Sequence, residues 1–190
     1  MTRKILSLAL MSLLSLSSCQ APNRDKPAEQ ASPKPTSSAS LSNHKPSPSF
    51  QLTAPDGSGL NFNPSENPDQ EVFLLLFWSH SWDKNVETLL SRSSELHERY
   101  GTRGLTIIAI TYDEEPAQIR KFLATHKLPF DVAVGNKSVY ESFDINAIPS
   151  SILVDRDGRM VERWSGYYSI EELSQKISPH LPGRIGNSER

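Results

Sequence analysis

The sequence contains one cysteine in 190 residues, Cys19. An internal disulfide needs two cysteines, so the chain cannot form one, and it cannot exchange disulfides with a thiol pair of its own. Metal sites built on paired cysteines are excluded for the same reason. The absence of a second thiol therefore removes several classes of chemistry before any motif is considered.

The chain also lacks an excess of charge of either sign. Its 20 Lys and Arg residues nearly balance its 22 Asp and Glu residues, which leaves a net charge of −2. A nucleic-acid-binding domain usually carries a basic face or stripe, so we expect no nucleic acid partner. The length fits one domain of ordinary size with appendages.

Residues 1–18 have the pattern of a bacterial export signal. Arg3 and Lys4 precede an apolar stretch at 5–16, which is too short to span the roughly 30 Å hydrocarbon core as a mature helix. The Leu-Ser-Ser-Cys sequence that ends at Cys19 resembles the lipobox of bacterial lipoproteins. That resemblance implies a lipid on Cys19, attachment to a membrane and an extracytoplasmic location. A plain secretory signal with a cysteine near the cleavage site is the alternative.

The residue after the cysteine bears on the choice of membrane. Among lipoproteins sorted by that residue, Gln20 is not a signal for retention in the inner membrane. The resemblance therefore favours the periplasmic side of an outer membrane, if the organism has one.

Residues 19–49 are expected to form a disordered tether behind the lipidated cysteine. The segment is rich in Pro, Ser, Ala and Lys and contains no aromatic residue. Such a composition buries too little apolar surface to offset the entropy of ordering. With its prolines, the segment would reach on the order of 30–60 Å.

Residues 50–182 have the alternating pattern of a single α/β domain, and residues 183–190 are expected to be a polar tail. VFLLLFW at 72–78 is a continuous apolar run, typical of a central strand buried on both faces, and LTIIAIT at 105–111 is predicted to be a second buried strand. The remaining predicted elements are a hairpin at 50–62, helices at 83–100, 115–127, 138–143 and 169–177, and strands at 130–134, 151–155 and 160–165. Strands that alternate with helices indicate a layered fold with a central sheet, here closed by a ββ hairpin and a final helix.

This order of elements resembles the thioredoxin fold, and most closely the extracytoplasmic TlpA/ResA group and related redoxins. In that group a strand runs into FWAxWCxxC, and here the corresponding residues are FWSHSWDKN at 77–85. A second marker is a cis-proline loop before a strand, here NAIPSSILVD at 146–155. The resemblance implies a three-layer α/β/α sandwich with a central mixed sheet, an N-terminal hairpin and a C-terminal ββα unit.

The match keeps the frame of the active site but not its reactive atoms. By this alignment the nucleophilic cysteine falls on Trp82, the resolving cysteine on Asn85 and the preceding tryptophan on Ser81. In the family, a buried acid or amide just before the Phe-Trp pair helps to move protons. The corresponding residue here is Leu76, which cannot do so. Disulfide exchange requires a thiolate, which neither an indole nor a carboxamide can replace. We therefore expect no thiol–disulfide activity and no cofactor.

The resemblance still implies a groove between the helix start and the cis-proline loop. In the family this groove holds an extended segment of a partner protein. The residues expected at this degenerate active site or binding face are Trp78, His80, Ser81, Trp82, Asp83, Asn85, Ile148 and Pro149. The expected partner is an envelope protein or peptide. Trp82 would contact it if the indole faces solvent, and would be ordinary packing if it folds inward.

Three alternatives remain open at this point. One is an enzyme that uses Ser81 and His80, or a metal held by His80 and Asp83, although two ligands make a poor site. Another is an accessory protein that acts with a separate redox partner. The third is a structural lipoprotein with no specific partner.

Overall fold

The computed structural model describes residues 36–67, 69–113 and 115–182. The elements in chain order are β1 Thr36–Pro46, β2 Phe50–Thr53, β3 Gly59–Phe62, β4 Val72–Trp78, α1 Val86–Tyr100, a 3₁₀ turn at Gly101–Arg103, β5 Leu105–Thr111, α2 Pro116–Thr125, β6 Asp131–Val134, α3 Lys137–Ser142, β7 Ser150–Val154, β8 Arg159–Ser165 and α4 Ile170–Ile177. The predicted signal sequence, Cys19, the first part of the tether and the polar tail lie outside the described residues.

The strands form one mixed sheet with the order β1-β8-β7-β4-β5-β6-β2-β3. β4 and β5 pair in parallel at the centre of the sheet, with Val72 opposite Leu105 and Trp78 opposite Thr111. β5 and β6 are also parallel, whereas β7 is antiparallel to β4. The predicted N-terminal hairpin is confirmed as β2 and β3, and it joins the sheet through Thr53 and Val134 at β6.

Alternate residues of β4 enter two separate cores on the two faces of the sheet. Leu74, Leu76 and Trp78 pack into a core with the buried sides of α1, α2 and α4. Leu75 and Phe77 pack on the other face, against α3 and the hairpin. This arrangement confirms the predicted three-layer α/β/α sandwich, because an apolar strand with both faces buried requires a layer on each side.

The prediction of a disordered tether through residue 49 is wrong for its last part. Thr36–Pro46 forms β1 and pairs antiparallel with β8, with Thr36 opposite Ser165 and Pro46 opposite Arg159. Positions 36–45 contain no proline, so each N–H that points toward β8 is available to pair with its edge. The pairing has register shifts between Thr36 and Ala39 and between Ser40 and Lys45. Edge pairing of this kind depends on the backbone and not on an apolar side-chain pattern.

Within the described ranges, no helix combines the length and the apolar character needed to cross a bilayer.

Candidate functional site

Four chain segments meet at one end of the sheet because of the strand directions. β4 and β5 are parallel and end there, β7 is antiparallel to β4 and begins there, and β8 ends there. The loop at 79–85 therefore lies beside Tyr112, beside the residues that precede β7, and beside Tyr167. The backbone ties two of these segments together, since the Tyr112 amide donates to the Trp78 carbonyl at 2.8 Å.

The buried carboxylate of Asp113 holds the 79–85 loop in place. It accepts hydrogen bonds from the backbone amides of His80 and Ser81, at 2.6 and 3.0 Å. It also accepts from the hydroxyls of Thr111 at 2.6 Å and Ser79 at 3.2 Å. The Ser79 oxygen in turn accepts from the Trp82 amide at 3.2 Å. One carboxylate thus positions the chain up to the residue that replaces the nucleophilic cysteine.

The hydrogen bonds around Asp113 also determine its charge. Burial acts to raise the pKa of this carboxyl, but hydrogen bonds from Ser81, Thr111 and the His80 amide outweigh it and hold the pKa below its ordinary value. Asp113 is therefore ionised at neutral pH. It is 8 % exposed, and its charge is met by donors inside the protein rather than by solvent.

Next to this loop is an open groove of about 350 Å³. Its lining residues are Trp82, Asp83, Asn85, Tyr112, Asn146, Ala147, Ile148, Pro149 and Tyr167. The Ile148–Pro149 peptide bond is cis, as the resemblance implies. The groove therefore lies between the helix start and the cis-proline loop, in the position that the sequence predicts.

Two exposed aromatic rings form one wall of the groove. Trp82 is 67 % exposed, so its indole faces solvent and does not fold inward. It contacts Tyr112, with ring centroids 4.7 Å apart and planes inclined by 41°. Tyr112 packs edge-on against Tyr140 at 4.9 Å, and the Tyr140 hydroxyl donates to the Ile110 carbonyl at 3.1 Å. The exposed pair is thus supported by a buried, anchored ring.

Two polar atoms at the groove are buried from solvent, Asp83 Oδ2 and the Tyr167 hydroxyl. The other carboxylate oxygen of Asp83 accepts from the Asn85 amide at 2.9 Å. Burial first, and then a hydrogen-bond interaction with the Asp83 carboxylate, raise the pKa of Tyr167 above its ordinary value. Tyr167 therefore stays protonated beside Asp83.

The structure brings five of the eight predicted site residues to the groove and leaves three outside it. Trp82, Asp83, Asn85, Ile148 and Pro149 line it. Trp78 is fully buried in the core at the end of β4, where its ring lies 5.9 Å from Phe122. His80 and Ser81 are exposed but are not among the lining residues.

The His80 and Ser81 side chains do not form a nucleophile–base pair. The His80 ring packs on Phe122 at 4.5 Å, and within the described residues it makes no hydrogen bond to the Ser81 hydroxyl. A serine hydroxyl without a base in contact is a weak nucleophile at neutral pH. Among the residues that the structure describes, no group of three His, Cys, Asp or Glu side chains could hold a metal ion.

The sequence analysis missed Asp113, Tyr112 and Tyr167. Each follows a strand that ends at the site, so its position relative to the predicted sheet was available as a signal. Residues at the carboxyl ends of parallel strands commonly form the binding site of an α/β protein. Tyr112 and Asp113 satisfy that rule directly, because they follow the parallel strand β5.

Comparison with known proteins agrees with this geometry. The model of the AhpC/TSA family matches residues 44–163. The chain is 31 % identical over 140 residues to a thiol-disulfide oxidoreductase ResA of Bacillus cereus, covering 71 % of this chain and 78 % of that protein. It is 22 % identical over 145 residues to ResA of Bacillus subtilis (strain 168), covering 76 % and 79 % of the two chains.

Solved structures show the same fold. A thioredoxin family thiol:disulfide interchange protein from Chlorobium tepidum TLS superposes with a TM-score of 0.64 at 18 % identity, covering 74 % of this chain and 98 % of that one. A thiol-disulfide oxidoreductase from Bacteroides fragilis gives a TM-score of 0.61 at 20 % identity, with 71 % and 98 % covered. The chain therefore belongs to the AhpC/TSA family, as a thioredoxin-like protein of the TlpA/ResA type.

Proposed function

We propose that this protein is a lipid-anchored, extracytoplasmic binding domain that has lost thiol–disulfide chemistry. Its groove holds an extended segment of another envelope protein, in the place where a thiol-active relative would hold its substrate. The names of the relatives describe thiol–disulfide oxidoreductases. This chain has no cysteine between residues 20 and 190 with which to perform that reaction.

The observation that carries the proposal is the exposed Trp82 beside Pro149. A large, rigid ring that is 67 % exposed is a costly residue to keep in contact with water. Tryptophan is also among the residues that dominate the energetics of protein interfaces. Its support by Tyr112 and Tyr140 keeps the ring in one place, which lowers the entropy lost on binding.

Truncating the exposed ring tests the groove directly. We expect Trp82→Ala in the full chain to weaken binding of the envelope partner by about 30-fold, the loss typical of a central interface tryptophan. The partner is first captured with a photoreactive residue at position 82, and its affinity for each variant is then measured. Pro149→Ala, on the opposite side of the groove, is expected to weaken binding as well.

Lys84→Ala is the matched control for this experiment. Lys84 is exposed and only two residues from Trp82, but it does not line the groove. Its truncation should leave the affinity within about twofold, as expected for a rim or surface residue. Equal partner recovery by Trp82→Ala, Pro149→Ala and the parent, with all three folded, would contradict the proposal.

The anchor is tested separately, at Cys19. We expect the parent chain to sediment with membranes and to incorporate labelled palmitate in growing cells. Cys19→Ser should remove the label and release the protein into the soluble fraction, because burial of acyl chains contributes about 0.8 kcal/mol per methylene group to membrane attachment. Unchanged sedimentation of the unlabelled variant would mean that another feature holds the protein at the membrane.

A further inference from the structure

The groove has the charge pattern of a site for a positively charged side chain. Asp83 is the one charged residue among those that line it in the described structure. The adjoining pocket shares Tyr112 and Asn146 with the groove and adds one lysine and two acidic residues, Lys137, Glu141 and Asp144. The combined surface therefore has an excess of negative charge.

The aromatic wall and the carboxylate favour the same kind of ligand. The face of a tryptophan or tyrosine ring attracts a cation, and the attraction is stronger when the cation is desolvated. A hydrogen bond from an ammonium or guanidinium group to a carboxylate is among the strongest in proteins. Trp82, Tyr112 and Asp83 present both features along one groove.

Other side chains would fit this groove less well. An apolar side chain would cover the groove but could not pair with the Asp83 carboxylate. An acidic side chain would meet the like charge of Asp83. A neutral polar side chain would gain little from the ring faces.

We propose that the groove binds a lysine or arginine side chain of the extended partner segment, with its cation against the Trp82 and Tyr112 rings and its N–H groups donating to Asp83. This inference rests on the proposed function, because it names the chemistry of the segment that the groove holds.

The test uses four pentapeptides, Ac-Ala-Ala-X-Ala-Ala-NH₂, in which X is Lys, Arg, Leu or Glu. Binding to the full chain carrying Cys19→Ser is followed by NMR through the indole N–H resonance of Trp82. We expect the Lys and Arg peptides to bind at least fivefold more tightly than the Leu peptide, and the Glu peptide to bind least. Asp83→Asn should reduce the Lys-over-Leu preference to less than twofold. Asp157→Asn, in the β7–β8 turn, should retain the full preference.

The possible results separate this inference from the proposed function. If the Leu peptide binds as tightly as the Lys peptide, or if Asp83→Asn keeps the preference, the cation site is wrong while the peptide groove stands. If no peptide shifts the Trp82 resonance at millimolar concentration, both are wrong. A Trp82 shift that depends on protein concentration alone would assign the groove to a second copy of this chain, and would likewise overturn the inference.

Discussion

Replacing Trp82 and Asn85 together by cysteine is expected to give the protein an insulin-reducing activity that the parent chain lacks. The loop that carries position 82 is held by Asp113 and Ser79, and neither contact involves the indole. Position 85 directly precedes α1. Cysteines at these two positions would restore the CxxC spacing of the family, with position 85 at the N-terminus of α1 and position 82 three residues before it.

The helix start supplies the physical reason for the gain at position 85. Unpaired N–H groups and the helix dipole lower the pKa of a thiol there, and they act more weakly on a thiol at position 82. A thiol with a pKa near 7 is about half ionised at pH 7, whereas an unperturbed thiol is only about 3 % ionised. We expect the Trp82→Cys, Asn85→Cys variant, built on Cys19→Ser, to reduce insulin with dithiothreitol at least about tenfold faster than its parent.

The matched control carries serine at the same two positions. It has the same truncation of Trp82 and the same loop, but no thiol, so its rate should equal the uncatalysed rate. A double-cysteine variant that is folded, forms its disulfide and still has no activity would mean that more than the sulfur atoms has been lost. Activity in the parent itself, free of contaminating enzymes, would contradict the proposed function.

The central strands were predictable to the residue because their composition is nearly all apolar. The run at 72–78 is apolar throughout and 105–111 carries only two threonines, so both are expected to be buried on both faces. The start of α1 was predicted less well, at residue 83 instead of Val86. The Asp83 carboxylate accepts a hydrogen bond from the Asn85 amide and keeps the chain in a turn before the helix.

The features that the sequence did not predict all depend on pairing between strands that are distant in sequence. β1 is held by backbone pairing to the edge of β8, which leaves no periodic signal among its serines. Tyr112 and Tyr167 reach the groove only because β5 and β8 end at the same edge as β4, and that depends on the pairing of strands distant in sequence. The eight predicted site residues came from alignment to one motif. The motif located the groove but could not show that Trp78, His80 and Ser81 lie outside it.

Asp113 shows most clearly how a residue without a motif can govern the site. We expect Asp113→Asn to lower the free energy of unfolding by about 3 kcal/mol at pH 7, a factor of about 100 in the folding equilibrium. The substitution keeps the size of the side chain, but its amide nitrogen would face donors where a carboxylate oxygen now accepts. Hydrogen bonds to a buried charge contribute about 1.5–3 kcal/mol each, and solvent can replace part of those made by the exposed loop.

The same carboxylate predicts how stability depends on pH. Because the pKa of Asp113 is lower in the folded protein than its ordinary value of 3.8, the folded state binds this proton less readily than the unfolded chain. Its contribution is therefore fully present above about pH 4 and is lost as the pH falls through the folded pKa. Urea unfolding of both proteins at pH 7 and below pH 4 should show their difference in stability narrowing in acid.

Asp157→Asn is the control, since it removes one exposed carboxylate from the β7–β8 turn. Its free energy of unfolding should stay within about 0.5 kcal/mol of the parent at either pH. If Asp113→Asn is as stable as this control, the four donors around position 113 do not depend on its charge, and the loop that presents Trp82 must be held by other contacts. If the difference between Asp113→Asn and the parent instead grows in acid, the sign of the Asp113 pKa shift is wrong, and the folded protein binds this proton more readily than the unfolded chain.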